Sequence, residues 1–172
     1  GSCVITDKER GTKMSIRHPR LNPARVALLD PQALQSLPPH VASHSGLDAF
    51  VHAFESYISR NSNPFSDAVT LHAIRLISYN LRQHVANPAN TEAALEMLCG
   101  SALAGMAFGQ TGLGNVHCMA RFIGARYHIS HGLSNALCLP VVAQFNMISS
   151  PERYRDVAQA MGCNIENLSL ME

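Results

Sequence analysis

The sequence predicts a mostly α-helical, bundle-like domain preceded by a short β segment. Three observations carry that expectation. From Pro31 onward, apolar residues recur at the 3.6-residue period of a helix. Cap and breaker residues divide the same stretch into helix-sized pieces. The first thirty residues instead hold short β-prone runs set around polar turns. The expected bounds are therefore 1–30 for the strand segment and 31–172 for the helical domain.

In the strand segment, Cys3-Val4-Ile5-Thr6 and Met14-Ser15-Ile16 flank a polar turn, Asp7-Lys8-Glu9-Arg10-Gly11, as in a hairpin. Arg25-Val26-Ala27-Leu28-Leu29-Asp30 is a second β candidate, entered past Pro23 and stopped at Asp30-Pro31. Such short strands do not make a stable sheet alone, and read as edges of a larger one. Gly1-Ser2 reads as the scar of a removed tag, and the chain ends at Leu168 to Glu172 just as a helix-like stretch begins, so a fragment is expected.

The first long helix follows from Leu47, Phe50, Val51, Phe54 and Ile58, which share one stripe between Ser45 and Ser59. A second is expected from about Ser66 to Gln83 behind the Asn63-Pro64 break, with Val69, Ile74, Ile77 and Leu81 inward. Asn90-Thr91-Glu92 opens a third, reaching about Phe108. It is apolar nearly all round and carries Gly100, Ser101, Ala104 and Gly105, so a buried, closely packed helix is expected. After the turn Gly109 to Gly114 come a short helix from Val116 to about Arg126 and another from near Gly132, which Pro140 should kink or divide. Ser149-Ser150-Pro151-Glu152 opens the last, a cap followed by proline at the first helical position.

Composition removes several classes of function. Lys and Arg total 13 against 12 for Asp and Glu, and there is no Trp, so neither charge nor base-stacking surface points to nucleic acid. No apolar run approaches the ~20 residues that span a bilayer, and the charged hairpin near the start does not fit a signal peptide. Five scattered cysteines, Cys3, Cys99, Cys118, Cys138 and Cys163, form no C-x-x-C pair, and read as buried thiols in a reducing cytoplasm.

Four residues stand out for chemistry. Asp48 and His52 lie four apart on one face of the first helix, at the border of its apolar stripe, and could form half of a divalent-metal site or simply a helix-surface pair. His117, near a helix start, and His131, followed by Gly132, could point their rings into a crevice or serve in packing. The other six histidines (His18, His40, His44, His72, His84 and His128) have no such setting and read as surface or packing residues.

Two separated signatures resemble the iron-containing (group III) alcohol dehydrogenases. One is Asp30-Pro31…Leu37-Pro38 followed by Gly46-Leu47-Asp48-Ala49-x-x-His52-Ala53-x-Glu55-x-Tyr57-x-Ser59. The other is Ala104-Gly105-x-Ala107-Phe108…Gly112-Leu113-Gly114-x-x-His117-x-x-Ala120, Gly124-Ala125, then His131-Gly132-x-x-Asn135-Ala136-x-x-Leu139-Pro140. The resemblance spans nearly the whole chain and implies the helical, dehydroquinate synthase-like α domain of that family. It implies Asp48, His52, His117 and His131 as ligands of a divalent metal, Fe2+ or Zn2+, with NAD or NADP held by an α/β domain for which the sequence has no strand–Gly-rich loop–helix unit. The implied reaction is hydride transfer between an alcohol and the nicotinamide, so this chain alone should not catalyse it.

One position departs from the family pattern. Four residues after His117, where a second histidine is usual, stands Arg121, followed by Phe122. As a catalytic-site candidate, Arg121 either receives a carboxylate on an oxo-acid or hydroxy-acid substrate or pairs with a nearby acid or the other domain. Two other classes compete: a metal-free relative similar to maleylacetate reductases, and a helical binding module without catalysis. The resemblance also implies a homo-oligomer, and exposed strand edges and apolar faces would favour self-association.

Overall fold

The structure, a computed structural model, describes residues 2–7, 9–10, 12–18 and 22–169. Gly1 of the expected tag scar, Lys8 and Gly11 of the turn, and 170–172 at the expected helix start lie outside the described residues. The expected hairpin forms. Strands β1 (Ser2–Asp7) and β2 (Thr12–Arg17) pair antiparallel, with Cys3 opposite Ile16 and Ile5 opposite Met14. Asp7 starts the turn, its Oδ1 accepting from the backbone N–H of Glu9 and Arg10, both at 3.0 Å.

The second strand expected over 25–30 is not found. That segment has a bend at Arg25 and no strand pairing among the described residues, and Val26 and Leu28 are exposed. Extended backbone becomes a strand only beside a partner whose N–H and C=O groups complete the ladder. Asp30 instead caps a short 3₁₀ helix, Pro31–Leu34, accepting from Gln32 N at 2.9 Å.

Six α-helices follow among the described residues: α1 (Pro39–Tyr57), α2 (Pro64–Ala86), α3 (Thr91–Thr111), α4 (Asn115–Tyr127), α5 (His131–Met147) and α6 (Pro151–Ala160). The predicted mostly helical class holds. Helix α1 is the hub, packed against α2, α3 and α5, and residues 49–51 and 53–57 along it are buried. It begins well before the apolar stripe, because Pro39 suits the first helical turn. Helix α2 begins at a full capping box: Asn63 Oδ1 accepts from Phe65 N and Ser66 N, and Ser66 Oγ accepts from Asn63 N. Ile74 and Ile77 point inward as expected, while Val69 and Leu81 are half-buried and Ser66, Thr70 and His84 are buried beside them.

The all-round burial expected for α3 is corrected. Ala93, Ala94, Met97, Gly100, Ala104, Ala107 and Thr111 make one buried face, while Ser101, Leu95 and Met106 are exposed. Apolar composition alone did not reveal that only one side has neighbours. Pro140 lies within α5 without dividing it; a proline removes one backbone donor, and buried Cys138 and Val142 hold the helix on either side. Ser150 occupies the position before α6 but makes no side-chain cap bond.

Helix α6 is held by Arg153 instead. Its Nε donates to Tyr57 O at 2.8 Å, its Nη2 meets Asp67 Oδ1, and its guanidinium lies 4.0 Å from the Tyr57 ring centroid. The thiols Cys99, Cys118, Cys138 and Cys163 are free, but only Cys138 is buried, which corrects the expectation of uniformly buried cysteines. The outer face of α5 exposes Leu137, Val141 and Phe145, at four-residue spacing. No helix among the described residues is long and apolar enough to cross a membrane.

Helix α5 approaches α1 so closely that a Cβ at Gly132 would lie 2.0 Å from His44 O. A Cβ at Gly105, inside α3, would meet nothing within 4 Å. Gly132→Ala is expected to destabilise the domain by about 2–3 kcal/mol through a backbone clash. Gly105→Ala should stabilise it by roughly 0.5–1 kcal/mol through helix propensity and a less flexible unfolded chain. Denaturant unfolding of both variants checks the opposite signs.

Candidate metal centre

The site lies where α4 and α5 begin against the middle of α1. Asp48 and His52 are half-buried on α1, one turn apart. Three residues after His52, Glu55 is buried at 3% exposure. Its carboxylate receives two donors from the start of α4: Val116 N to Oε1 at 2.7 Å and His117 Nδ1 to Oε2 at 2.6 Å. Gly114, at the cap position of α4, offers no side-chain bond of its own, so Glu55 supplies from another helix what a cap residue would supply locally. Gly112 makes the preceding turn with φ of 76°, in the region that favours glycine.

Helix α5 brings the remaining groups. Ser130 caps it through Leu133 N and also bonds His44 Nδ1 at 2.9 Å. His131 is the first residue of the helix, and its Nε2 lies 3.8 Å from Asp48 Oδ1. Asn135, fully buried one turn on, donates from Nδ2 to Asp48 Oδ1 and sits 3.2 Å from His131 Nε2. The His117 Nε2 atom is 3.5 Å from the same Asp48 oxygen. His52 is stacked between Phe108 and His117, with ring centroids 4.5 and 4.6 Å away, and the His131 ring lies 5.3 Å from that of His117.

Three of the four sequence-predicted ligand candidates therefore form one tight group, and the fourth, His131, stands 3.8 Å from Asp48 Oδ1 at its edge. Asp48, His52 and His117 each offer a ligand atom, all within 4.8 Å of one another. His131 sits on the outer side, with its side chain 46% exposed. Arg121 is exposed on α4 and forms no hydrogen bond or ion pair among the described residues.

Burial and charge act against each other here. Desolvation pushes the Asp48 carboxyl up, but the nearby His117, His52 and His131 imidazoles and the Asn135 amide donor outweigh it and hold Asp48 below its ordinary range. Burial dominates at His52 and depresses it to about 4, against the opposing pull of Asp48. Burial also disfavours the charged form of His117, but the nearby Asp48 carboxylate and the hydrogen bond to Glu55 win and raise it.

The residues fit a divalent cation on two grounds. Three imidazoles and a carboxylate suit iron or zinc. The His117 Nε2 atom is also buried without any hydrogen-bond partner, a costly state unless something else meets that nitrogen. Glu55 and Asn135 received no role from sequence reasoning. Glu55 had a signal, since it is the one charge in the apolar run Ala53-Phe54-Glu55-Ser56-Tyr57 and an acid buried there needs a partner. Asn135 stood in the second signature, one turn after His131, but its contact to Asp48 spans 87 positions and had no local signal.

A family profile described as "Fe-containing alcohol dehydrogenase family, C-terminal" matches residues 42–172. The chain is 44% identical over 170 residues to 1,3-propanediol dehydrogenase of Klebsiella pneumoniae, covering 99% of this chain and 44% of that protein. It is 40% identical over 169 residues to lactaldehyde reductase of Escherichia coli K12, again covering 44% of the relative. The crystal structure of a 1,3-propanediol oxidoreductase superposes with a TM-score of 0.94 at 44% identity, over 99% of this chain and 44% of that one. The chain thus spans less than half the length of these relatives.

In protein freed of metal, an NMR titration should find the His52 ring neutral down to about pH 4 and His117 keeping its proton above the ordinary histidine range. The linkage signs are opposite. Folding disfavours the His52 proton, so the stability tied to that ring is lost as pH falls from about 6.5 toward 4. Folding favours the His117 proton, so its contribution is complete below about 6.5 and is lost as pH rises through its raised value. A His52 midpoint near 6.5 would overturn the assignment.

Proposed function

This chain belongs to the Fe-containing alcohol dehydrogenase family, and from that premise we propose that it is the helical metal-binding domain of a nicotinamide-dependent alcohol dehydrogenase. In this reading Asp48, His52, His117 and His131 hold a divalent metal, with iron favoured by the family and zinc compatible with the ligands. The observation that carries it is the buried, unpartnered His117 Nε2 facing Asp48 in a ring of imidazoles. A metal-free site acting directly on substrate, as in the maleylacetate reductase-like alternative, gives that atom no partner in the resting protein. A purely binding module gives the whole cluster no purpose.

When bound, the metal supplies Lewis-acid polarisation of an alcohol or carbonyl oxygen. The protein residues do the rest. Depressed His52 stays neutral and so remains a ligand across the physiological range. Phe108 covers the outer face of His52 and keeps water from that ring. The exposed edge at His131 is the side from which a small alcohol or aldehyde enters. NAD or NADP, if bound, would accept the hydride from the carbinol carbon while the hydroxyl proton passes to solvent; the sequence itself has no strand–Gly-rich loop–helix unit to hold that dinucleotide. A homo-oligomeric enzyme is part of the same reading.

Arg121, exposed one turn beyond His117 on α4 and unpaired among the described residues, leaves two readings: it receives a carboxylate on a hydroxy-acid or oxo-acid substrate, or it pairs with the other domain.

Protein purified without chelator should carry close to one iron or zinc per chain. His117→Ala and Asp48→Ala should each lower that content at least about tenfold. Absence of metal after anaerobic supply of both ions would overturn the reading. With Co2+ loaded as a spectroscopic probe, Arg121→His should weaken glycolate binding by roughly tenfold, the loss of one charge-assisted bond, and leave ethylene glycol unaffected. Equal effects on both ligands would remove Arg121 from substrate selection.

A further inference from the structure

We propose that Glu55 is the positioning residue of this centre: it selects the Nδ1–H form of His117 and so turns the lone pair of Nε2 toward Asp48 and His52. The inference deepens the metal-site reading and rests on it for its functional meaning.

Two donors converge on one carboxylate. Val116 N meets Oε1 at 2.7 Å and His117 Nδ1 meets Oε2 at 2.6 Å. The Val116 N–H can only donate, so Oε1 is committed to it. The other oxygen, Oε2, then faces Nδ1 at a distance that requires a proton between them; with Nδ1 unprotonated, two lone pairs would oppose each other at 2.6 Å. Glu55 is 3% exposed, so water does not compete for either oxygen. The arrangement also requires glycine at position 114, where a Cβ would lie 2.8 Å from Oε1. The proton is thus held on Nδ1, the nitrogen facing Glu55, and the neutral ring has its free pair at Nε2, the atom left buried without a hydrogen bond. When a metal is taken up, the only proton that His117 can lose is one on Nε2. A carboxylate behind the ring also strengthens it as a donor.

Glutamine cannot replace this acid. If its oxygen serves Val116 N, its NH2 faces Nδ1, which must then accept, and the ring proton moves to Nε2. If its oxygen serves His117, the NH2 meets the Val116 N–H, two donors opposed.

The test uses 15N-labelled histidine in metal-free protein, at a pH high enough for His117 to be neutral, in wild type and Glu55→Gln. Wild type should show His117 as the Nδ1–H tautomer. Glu55→Gln should shift it largely to Nε2–H and lower Co2+ affinity by about 10–100-fold. Wild-type His117 found as Nε2–H would overturn the proposal, and this reading needs no variant to fold. An unchanged tautomer and unchanged Co2+ affinity in folded Glu55→Gln would also overturn it. If wild type binds no Co2+ while His117 is Nδ1–H, the metal reading fails and the positioning role stands.

Discussion

The buried Glu55 carboxylate is the constraint from which the site follows. An acid taken so far out of water must have its oxygens met by donors, and the middle of α1 has none to spare because its backbone is already hydrogen-bonded within the helix. The start of α4 has the complementary lack, with N–H groups that Gly114 cannot cap. Each end solves the other's problem. The chain must therefore bring α4 onto α1 with Val116 and His117 facing Glu55, and that placement puts the second nitrogen of His117 beside Asp48.

The approach of α5 is set by sterics rather than charge. Gly132 lets the helix start directly beneath the His44 carbonyl, and Ser130 fastens the same corner through the His44 ring. His131 and Asn135 then arrive one turn apart, both on Asp48 Oδ1. That oxygen is the common point of the cluster, approached from α4 by one imidazole and from α5 by another and by an amide.

The electrostatic result is a cluster prepared for a cation. Desolvation keeps His52 neutral, Asp48 is held toward its ionised form, and the buried His117 Nε2 lies 3.5 Å from Asp48 Oδ1 without a hydrogen bond. A fold optimised for stability alone would pair or remove that nitrogen. Where such an atom lies among a carboxylate and two further imidazoles, it is the kind of local inconsistency that marks a candidate functional site.

Much of this was legible in order along the chain. The helical class, the hairpin, the Asn63 cap of α2 and the Asp48–His52 pair rest on signals that act within about four residues: periodicity, capping and one-turn adjacency. The strand expected over 25–30 failed because a strand depends on a partner backbone that local sequence does not specify. All-round burial of α3 failed because an apolar residue does not say which neighbour covers it. His117 and His131 could be nominated but not oriented, since their rings take direction from Glu55, 62 positions away from His117, and from the Asp48–Asn135 corner. The sequence by itself determined the elements and the inventory of ligand-type side chains. Only the tertiary structure decided which nitrogen faces the crevice, because that choice belongs to hydrogen bonds between helices, and those exist only once the helices have packed.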